Sequence, residues 1–106
     1  MLSNRRKHAR IITNWPVEIT VGSQVIIRGQ LKDLSFKSAF IRMKSSVYME
    51  LNDELNFQIK CTPDNAEQTV SGEARISRIA AGEGIVIYFT KLIGDSSSRL
   101  QQLVAG

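Results

Sequence analysis

Residues 70–90 have the sequence VSGEARISRIAAGEGIVIYFT, and this stretch decides the fold. From the first valine onward, small or apolar residues alternate with polar ones, which is the pattern of a β-strand with one buried face. The glycines of Gly82-Glu83-Gly84 allow a tight reversal, and the most apolar strand of the chain follows them. The stretch therefore predicts an antiparallel hairpin with strands at residues 70–79 and 85–90.

Four segments nearer the N-terminus show similar β-rich runs, at residues 16–21, 24–31, 39–43 and 55–61. Turn-forming residues separate them, among them Gly22-Ser23 and Asp33-Leu34-Ser35. Six short strands at regular spacing predict an all-β fold, a six-stranded antiparallel barrel, because closure removes the two edges of an open sheet. After Gly94, serine N-caps and apolar residues at helical spacing predict a short C-terminal helix over residues 95–104.

The length of 106 residues is typical of one domain, so we expect a single domain over residues 1–106 with the barrel at residues 15–90. Residues 1–12 precede the first predicted strand and are expected to form a flexible basic segment. No apolar run is long enough to span a membrane, and the charged N-terminus lacks the core of a signal peptide. Cys61 is the only cysteine, which fits a reducing, cytoplasmic location, and is expected to be a small buried hydrophobe.

The net charge of +4 is concentrated in the N-terminal segment, where Arg5, Arg6, Lys7 and Arg10 lie close together. The rest of the chain has ten Lys and Arg residues against ten Asp and Glu residues. Further cations lie near the second and third strands: Arg28, Lys32, Lys37, Arg42 and Lys44. They could add positive potential beside Asp33 and Ser35, and the simpler interpretation is a solvent-facing strand surface. One concentrated cationic segment on a neutral domain predicts an anionic partner, which could be a phosphorylated ligand, a nucleic acid, an acidic protein or a membrane.

Catalytic and metal-binding groups are scarce in the sequence. The only histidine, His8, lies in the N-terminal segment, which would not hold it rigidly for a Ser-His-Asp site. A zinc site needs several Cys or His ligands, and the chain has one of each. The sequence therefore predicts no catalytic residue, no metal and no cofactor.

Two short motifs could bind a ligand. In Arg6-x-x-x-Arg10, two guanidinium groups could bind phosphate oxygens in a bidentate manner or stack on bases. In Asp33-x-Ser35, the carboxylate could accept hydrogen bonds from a guanine, and the hydroxyl could bind a base edge or a phosphate. Each motif has a simpler interpretation, a solvated basic tail for the first and a connecting turn for the second.

Together the two motifs resemble the PilZ family of cyclic di-GMP receptors. That family carries an N-terminal RxxxR and, some twenty to thirty residues later, a [D/N]xSxxG at a strand junction. Arg6 and Arg10 match the first motif, Arg5 matches the arginine that often precedes it, and Asp33 and Ser35 match the start of the second. The resemblance covers nearly the whole chain and includes four further segments: Trp15-Pro16-Val17, residues 51–55, residues 82–89 and residues 96–104.

The resemblance implies a six-stranded barrel that binds its ligand on the outside. Arg6 and Arg10, assisted by Arg5, would hold phosphates and guanine edges, and Asp33 and Ser35 would recognise a guanine. Ser38 stands where the family motif ends in glycine. Because serine costs about 1 kcal/mol or more in a left-handed conformation, and its side chain can press on the base, we expect binding that is retained but weaker.

The expected function is that of a bacterial, cytoplasmic cyclic di-GMP receptor that changes conformation on binding and regulates a partner protein, as a monomer or weak dimer. One alternative is a protein-interaction adaptor of the same fold that binds no nucleotide. Another is a barrel for single-stranded nucleic acid, which usually presents several aromatic side chains along a basic groove. With seven aromatic residues in all and a neutral barrel, the sequence argues against a nucleic acid polymer as partner.

Overall fold

The computed structural model describes residues 10–22, 25–44 and 49–105 of the chain. Its elements in chain order are β1 (Ile11–Ile12), β2 (Pro16–Val21), β3 (Val25–Leu34), β4 (Ser38–Arg42), β5 (Glu54–Cys61), a 3-10 turn (Pro63–Asn65), β6 (Gln68–Ala80), β7 (Gly84–Leu92) and α1 (Ser96–Ala105). No helix within these ranges has the length and apolar character needed to cross a bilayer.

Six of the strands form one closed antiparallel barrel. They lie in the order β3-β2-β5-β6-β7-β4, and the pairing of β3 with β4 closes the ring. This confirms the six-stranded antiparallel barrel predicted from the sequence. Closure pairs both ends of the six-stranded sheet, so these six strands bury the core without a free edge among themselves.

The seventh strand, β1, pairs with the far end of β3, where Ile11 lies opposite Leu34 and Ile12 opposite Asp33. The sequence had placed residues 1–12 ahead of the first strand, whereas the structure pairs Ile11 and Ile12 with the barrel. The reason is the length of β3, which continues past the pairing of Gln30 with Pro16, the first residue of β2. The short strand β1 supplies backbone partners for that extension.

β3 also ends later than predicted, at Leu34 instead of residue 31, so the predicted turn at residues 33–35 moves to the segment after Leu34. The register between β3 and β4 shifts between Leu31 and Asp33, which marks a β-bulge. The bulge explains how Leu31 and Leu34, three residues apart, are both buried while Asp33 remains partly exposed. Burial of Leu34 thus extends the strand beyond the point where the polar sequence suggests a turn.

The core consists of the inward faces of the strands, closed at one side by the predicted C-terminal helix. β5 alternates strictly between exposed and buried residues, as its sequence predicts. α1 buries Leu100 and Val104, and the Ser96 hydroxyl accepts a hydrogen bond from the backbone N–H of Ser71 at 2.9 Å. These contacts fix the helix against β6, because they combine apolar burial with a satisfied buried hydroxyl.

Cys61 is fully buried at the end of β5, as expected for a small hydrophobe. Burial raises the pKa of the Cys61 thiol to about 11, because removal from water disfavours the thiolate. The thiol is therefore protonated at neutral pH and is a poor nucleophile.

Closure of the barrel depends on a close approach between β4 and β7 at Gly84. Gly84 has φ +156, lies opposite Arg42, and a Cβ at this position would collide with the carbonyl oxygen of Ile41. We expect Gly84→Ala to lower the free energy of unfolding by about 2–5 kcal/mol, from backbone strain plus overpacking. Urea denaturation of the parent and of Gly84→Ala measures this difference in the free energy of unfolding.

Gly82 provides the matched control in the same hairpin. Its φ is +78, but a Cβ there would meet nothing within 4 Å. Gly82→Ala should therefore cost only about 1–2 kcal/mol, the backbone contribution alone. Equal losses in the free energy of unfolding for the two variants would show that the pairing of β4 with β7 does not depend on the close approach at Gly84.

Candidate functional site

The two motifs found in the sequence meet at one ion pair. Arg10 Nη1 donates to Asp33 Oδ1 at 2.9 Å, across 23 residues of chain. The pairing of β1 with β3 brings them together, because Arg10 directly precedes the two residues that pair with Leu34 and Asp33. Both side chains keep access to solvent, with 40% of Arg10 and 20% of Asp33 exposed. The contact thus places a guanidinium and a carboxylate side by side on the outside of the barrel.

Ser35 lies in the turn between β3 and β4 and is 5% exposed. Its hydroxyl lies 3.2 Å from the backbone oxygen of Ser38, to which it donates, and accepts from the backbone N–H groups of Lys37 at 3.4 Å and Ser38 at 3.2 Å. The Ser35 N–H donates to the Ser38 carbonyl as well, at 2.9 Å. Ser35 lies two residues after Asp33, but its hydroxyl is directed into the turn and not alongside the Asp33 carboxylate.

Ser38 begins β4 and is not among the described non-glycine residues with positive φ. The strain expected for a serine in a left-handed conformation is therefore absent. Its hydroxyl lies 3.2 Å from that of Ser35, and its strand neighbour on β7 is Tyr88. The Ser38 side chain thus occupies space beside the turn that a glycine would leave open. It requires no unfavourable backbone conformation.

Beyond the ion pair, the outer face of β3 and β4 carries an aromatic ring and several cations. Phe40 lies directly opposite Asp33 in the strand register, and the Lys32 ammonium lies 4.8 Å from the centre of its ring. Arg42 follows two residues later on the same face and lies opposite Gln30. The Phe40 side chain is half-buried on this outer face.

This face forms a groove of about 710 Å³, defined as the cationic groove, whose charged lining residues are Arg28, Lys32, Arg42, Lys44 and Glu83. A smaller cavity of about 360 Å³ shares Gln30, Lys32 and Arg42 with it and reaches back to residues 12–14, which begin two residues after Arg10 in the chain. The sequence interpretation treated these cations as ordinary solvent-facing charges. The alternation of residues 28, 30 and 32 and of residues 40 and 42 was the signal that they share one face.

Two of the expected ligand-binding residues, Arg5 and Arg6, lie outside the described residues. Trp15, by contrast, is partly buried and packs against the core. Among the described residues, the site thus consists of Arg10, Asp33, the turn around Ser35 and Ser38, and the cationic groove that continues from them.

Comparison with solved structures supports the fold. The chain is similar to the Bacillus subtilis inhibitor of motility MotI/DgrA, with a TM-score of 0.80 and 15% identity over 97% of this chain, although it spans only 50% of that protein. It is also similar to the PilZ domain of CeSA from a cellulose-synthesising bacterium, with a TM-score of 0.61 and 27% identity over 92% of this chain and 95% of that one. A third similar structure is the PilZ domain of YcgR from Escherichia coli with c-di-GMP, with a TM-score of 0.66 and 13% identity over 96% and 90% of the two chains.

A search of curated proteins finds no match to this sequence. The family model for the PilZ domain, however, matches residues 4–106, which include both motifs and the whole barrel. The chain belongs to the PilZ domain family.

Proposed function

We propose that this protein is a receptor for cyclic di-GMP that changes conformation on binding and so regulates a partner protein in the bacterial cytoplasm. The observation that carries the proposal is the contact between Arg10 and Asp33. It joins the two motifs through which the family resemblance implies ligand binding, on a surface that continues into the cationic groove.

The comparisons support the same class of function. PilZ domain proteins are in general receptors or adaptors and not enzymes. The similar domain from YcgR was solved with c-di-GMP, so a barrel of this shape accommodates that nucleotide in at least one relative. We accordingly assign no catalytic residue, metal or cofactor to this chain, and the nucleotide is its ligand.

The energetics of the ion pair favour its replacement by a nucleotide. An exposed pair of this kind stabilises a protein by about 0–1 kcal/mol. A charge-assisted hydrogen bond from Arg10 to a phosphate, or from a guanine to Asp33, contributes about 1.5–3 kcal/mol. The nucleotide can therefore take over both partners with a net gain: Asp33 would accept from the guanine N1–H and exocyclic amine, and Arg10 would turn to a phosphate.

The remaining motif residues would assist when the nucleotide replaces the ion pair of Arg10 and Asp33. Arg6, with assistance from Arg5, would hold a phosphate as the segment ahead of Arg10 closes over the nucleotide. Ser35 would hold the turn that presents Asp33, and Ser38 would contact the guanine from the start of β4. Closure of the N-terminal segment would alter the surface around β1, which is the change that a partner protein would detect in a monomer or weak dimer.

The alternative function is that of an adaptor of the same fold that binds no nucleotide. One observation favours it, because Arg10 and Asp33 already satisfy each other and the Ser35 hydroxyl is engaged in its turn. The adaptor and the receptor differ in one measurable property, the affinity for cyclic di-GMP.

One prediction from the proposed function concerns the arginines of the N-terminal motif. We expect Arg10→Ala and Arg6→Ala each to weaken cyclic di-GMP binding by about ten- to a hundredfold, because each loses charge-assisted hydrogen bonds of about 1.5–3 kcal/mol. Isothermal titration of the parent and the variants, with GTP as the control ligand, measures the loss.

Lys60 supplies the control variant, because it is exposed on β5, across the ring from β4. Lys60→Ala should bind cyclic di-GMP within about twofold of the parent. If the parent binds no cyclic di-GMP, the adaptor alternative replaces the receptor. If it binds and both arginine variants match it, the assignment of the motif is wrong.

A second prediction concerns Ser38. Ser38→Gly should increase the affinity for cyclic di-GMP several-fold, because it removes a side chain from the place where the family motif has glycine. The same change should lower the free energy of unfolding by about 1 kcal/mol, through the loss of the hydroxyl contact with Ser35 and the greater freedom of glycine in the unfolded chain. Titration and urea denaturation of one preparation measure both quantities, and a weaker affinity for the glycine variant would contradict the account.

A further inference from the structure

The barrel is electrically asymmetric although it is nearly neutral as a whole. Residues 25–44, which contain β3 and β4, have five Lys and Arg residues against one carboxylate, Asp33. Residues 49–105, which contain the other three long strands and the helix, have five Lys and Arg residues against eight carboxylates. The segment that contains β3, β4 and Asp33 is therefore the most cationic of the described barrel, and an anionic ligand would be drawn to it.

Two cations of the cationic groove have no counter-ion in the described part of the chain. Arg42 and Lys44 are exposed, and the side chain of neither forms an ion pair or a hydrogen bond with another described residue. Arg28, by contrast, approaches Glu18 at 3.4 Å, and Lys32 covers the Phe40 ring. Arg42 and Lys44 thus leave their charges available to a ligand in the groove.

One end of the cationic groove lies next to the ion pair of Arg10 and Asp33. Phe40 is the register neighbour of Asp33, and Arg42 lies two residues further along β4. At roughly 3.3 Å per residue, this places Arg42 about 7 Å beyond Asp33 along the strand. A ligand with one guanine at Asp33 can therefore extend its other half over Phe40 to Arg42.

The lining suits one nucleotide better than a polymer. Ile27, Phe40 and Met43 provide apolar contact, and the volume of about 710 Å³ falls within the usual range for small-molecule sites. Proteins that bind single-stranded nucleic acids use several aromatic side chains along a basic track, whereas Phe40 is the one aromatic side chain among the described residues that line this groove.

We propose that the cationic groove is a second subsite, which binds the distal half of the dinucleotide with its purine against Phe40 and its phosphate between Arg42 and Lys44. This inference rests on the proposed function and adds residues that neither sequence motif includes. It makes Arg42 and Lys44 determinants of affinity for a two-base ligand.

The test is titration of cyclic di-GMP into the parent, Arg42→Glu, Lys44→Glu and the control Lys60→Glu. All three lysine and arginine positions are exposed, so each variant should fold, and the control makes the same change in net charge. We expect Arg42→Glu and Lys44→Glu each to bind about tenfold more weakly or worse, from loss of a charge-assisted contact. Lys60→Glu should remain within about twofold of the parent.

The outcomes separate this inference from the function on which it rests. A parent that binds, with Arg42→Glu and Lys44→Glu equal to Lys60→Glu, would overturn the second subsite and leave the receptor in place. A parent that does not bind would overturn both. Equal weakening in all three variants would show long-range attraction alone, and would also overturn the subsite.

Discussion

The pairing of β3 is the constraint on which the rest of the molecule depends. This strand pairs with β2 along most of its length, closes the barrel through β4, and receives β1 at its far end. Its extension to Leu34 exists because the bulge after Leu31 keeps both leucines in the core. Without that extension β1 would have no partner, and Arg10 would have no fixed position beside Asp33.

The interactions within the resulting candidate site are weak, so a ligand that binds more strongly could replace them. The exposed contact between Arg10 and Asp33 contributes little to stability, so it stores little free energy that a ligand must overcome. The turn beside it is different, because the buried Ser35 hydroxyl has several partners within the turn and fixes the backbone that presents Asp33. A carboxylate presented by a hydrogen-bonded turn, next to a weakly held guanidinium, is the arrangement that the proposed exchange with a nucleotide requires.

The sequence was sufficient for the barrel and for the candidate motifs, because alternating residues and turn signals are local features. Residues 70–90, for example, form the predicted hairpin, with strands longer at both ends. The sequence was not sufficient to predict features that depend on the pairing of strands distant in the chain. The bulge at Leu31 and the pairing of Ile11 with Leu34 depend on register, and the burial of Ser35 depends on how the turn folds back. The cationic groove was missed for a different reason, because the charges were counted along the chain although alternation indicates which residues of a strand share a face.

The central claim is that a nucleotide binds where Arg10 meets Asp33, on the outer face of β3 and β4. The most direct test is to follow the backbone amide signals of ¹⁵N-labelled protein by NMR during titration with cyclic di-GMP. The account predicts that the largest shifts fall on residues 10–13 and 32–42, while β5, on the opposite side of the ring, changes little. Shifts centred on β5 and β6, or no shifts at saturating nucleotide, would contradict it.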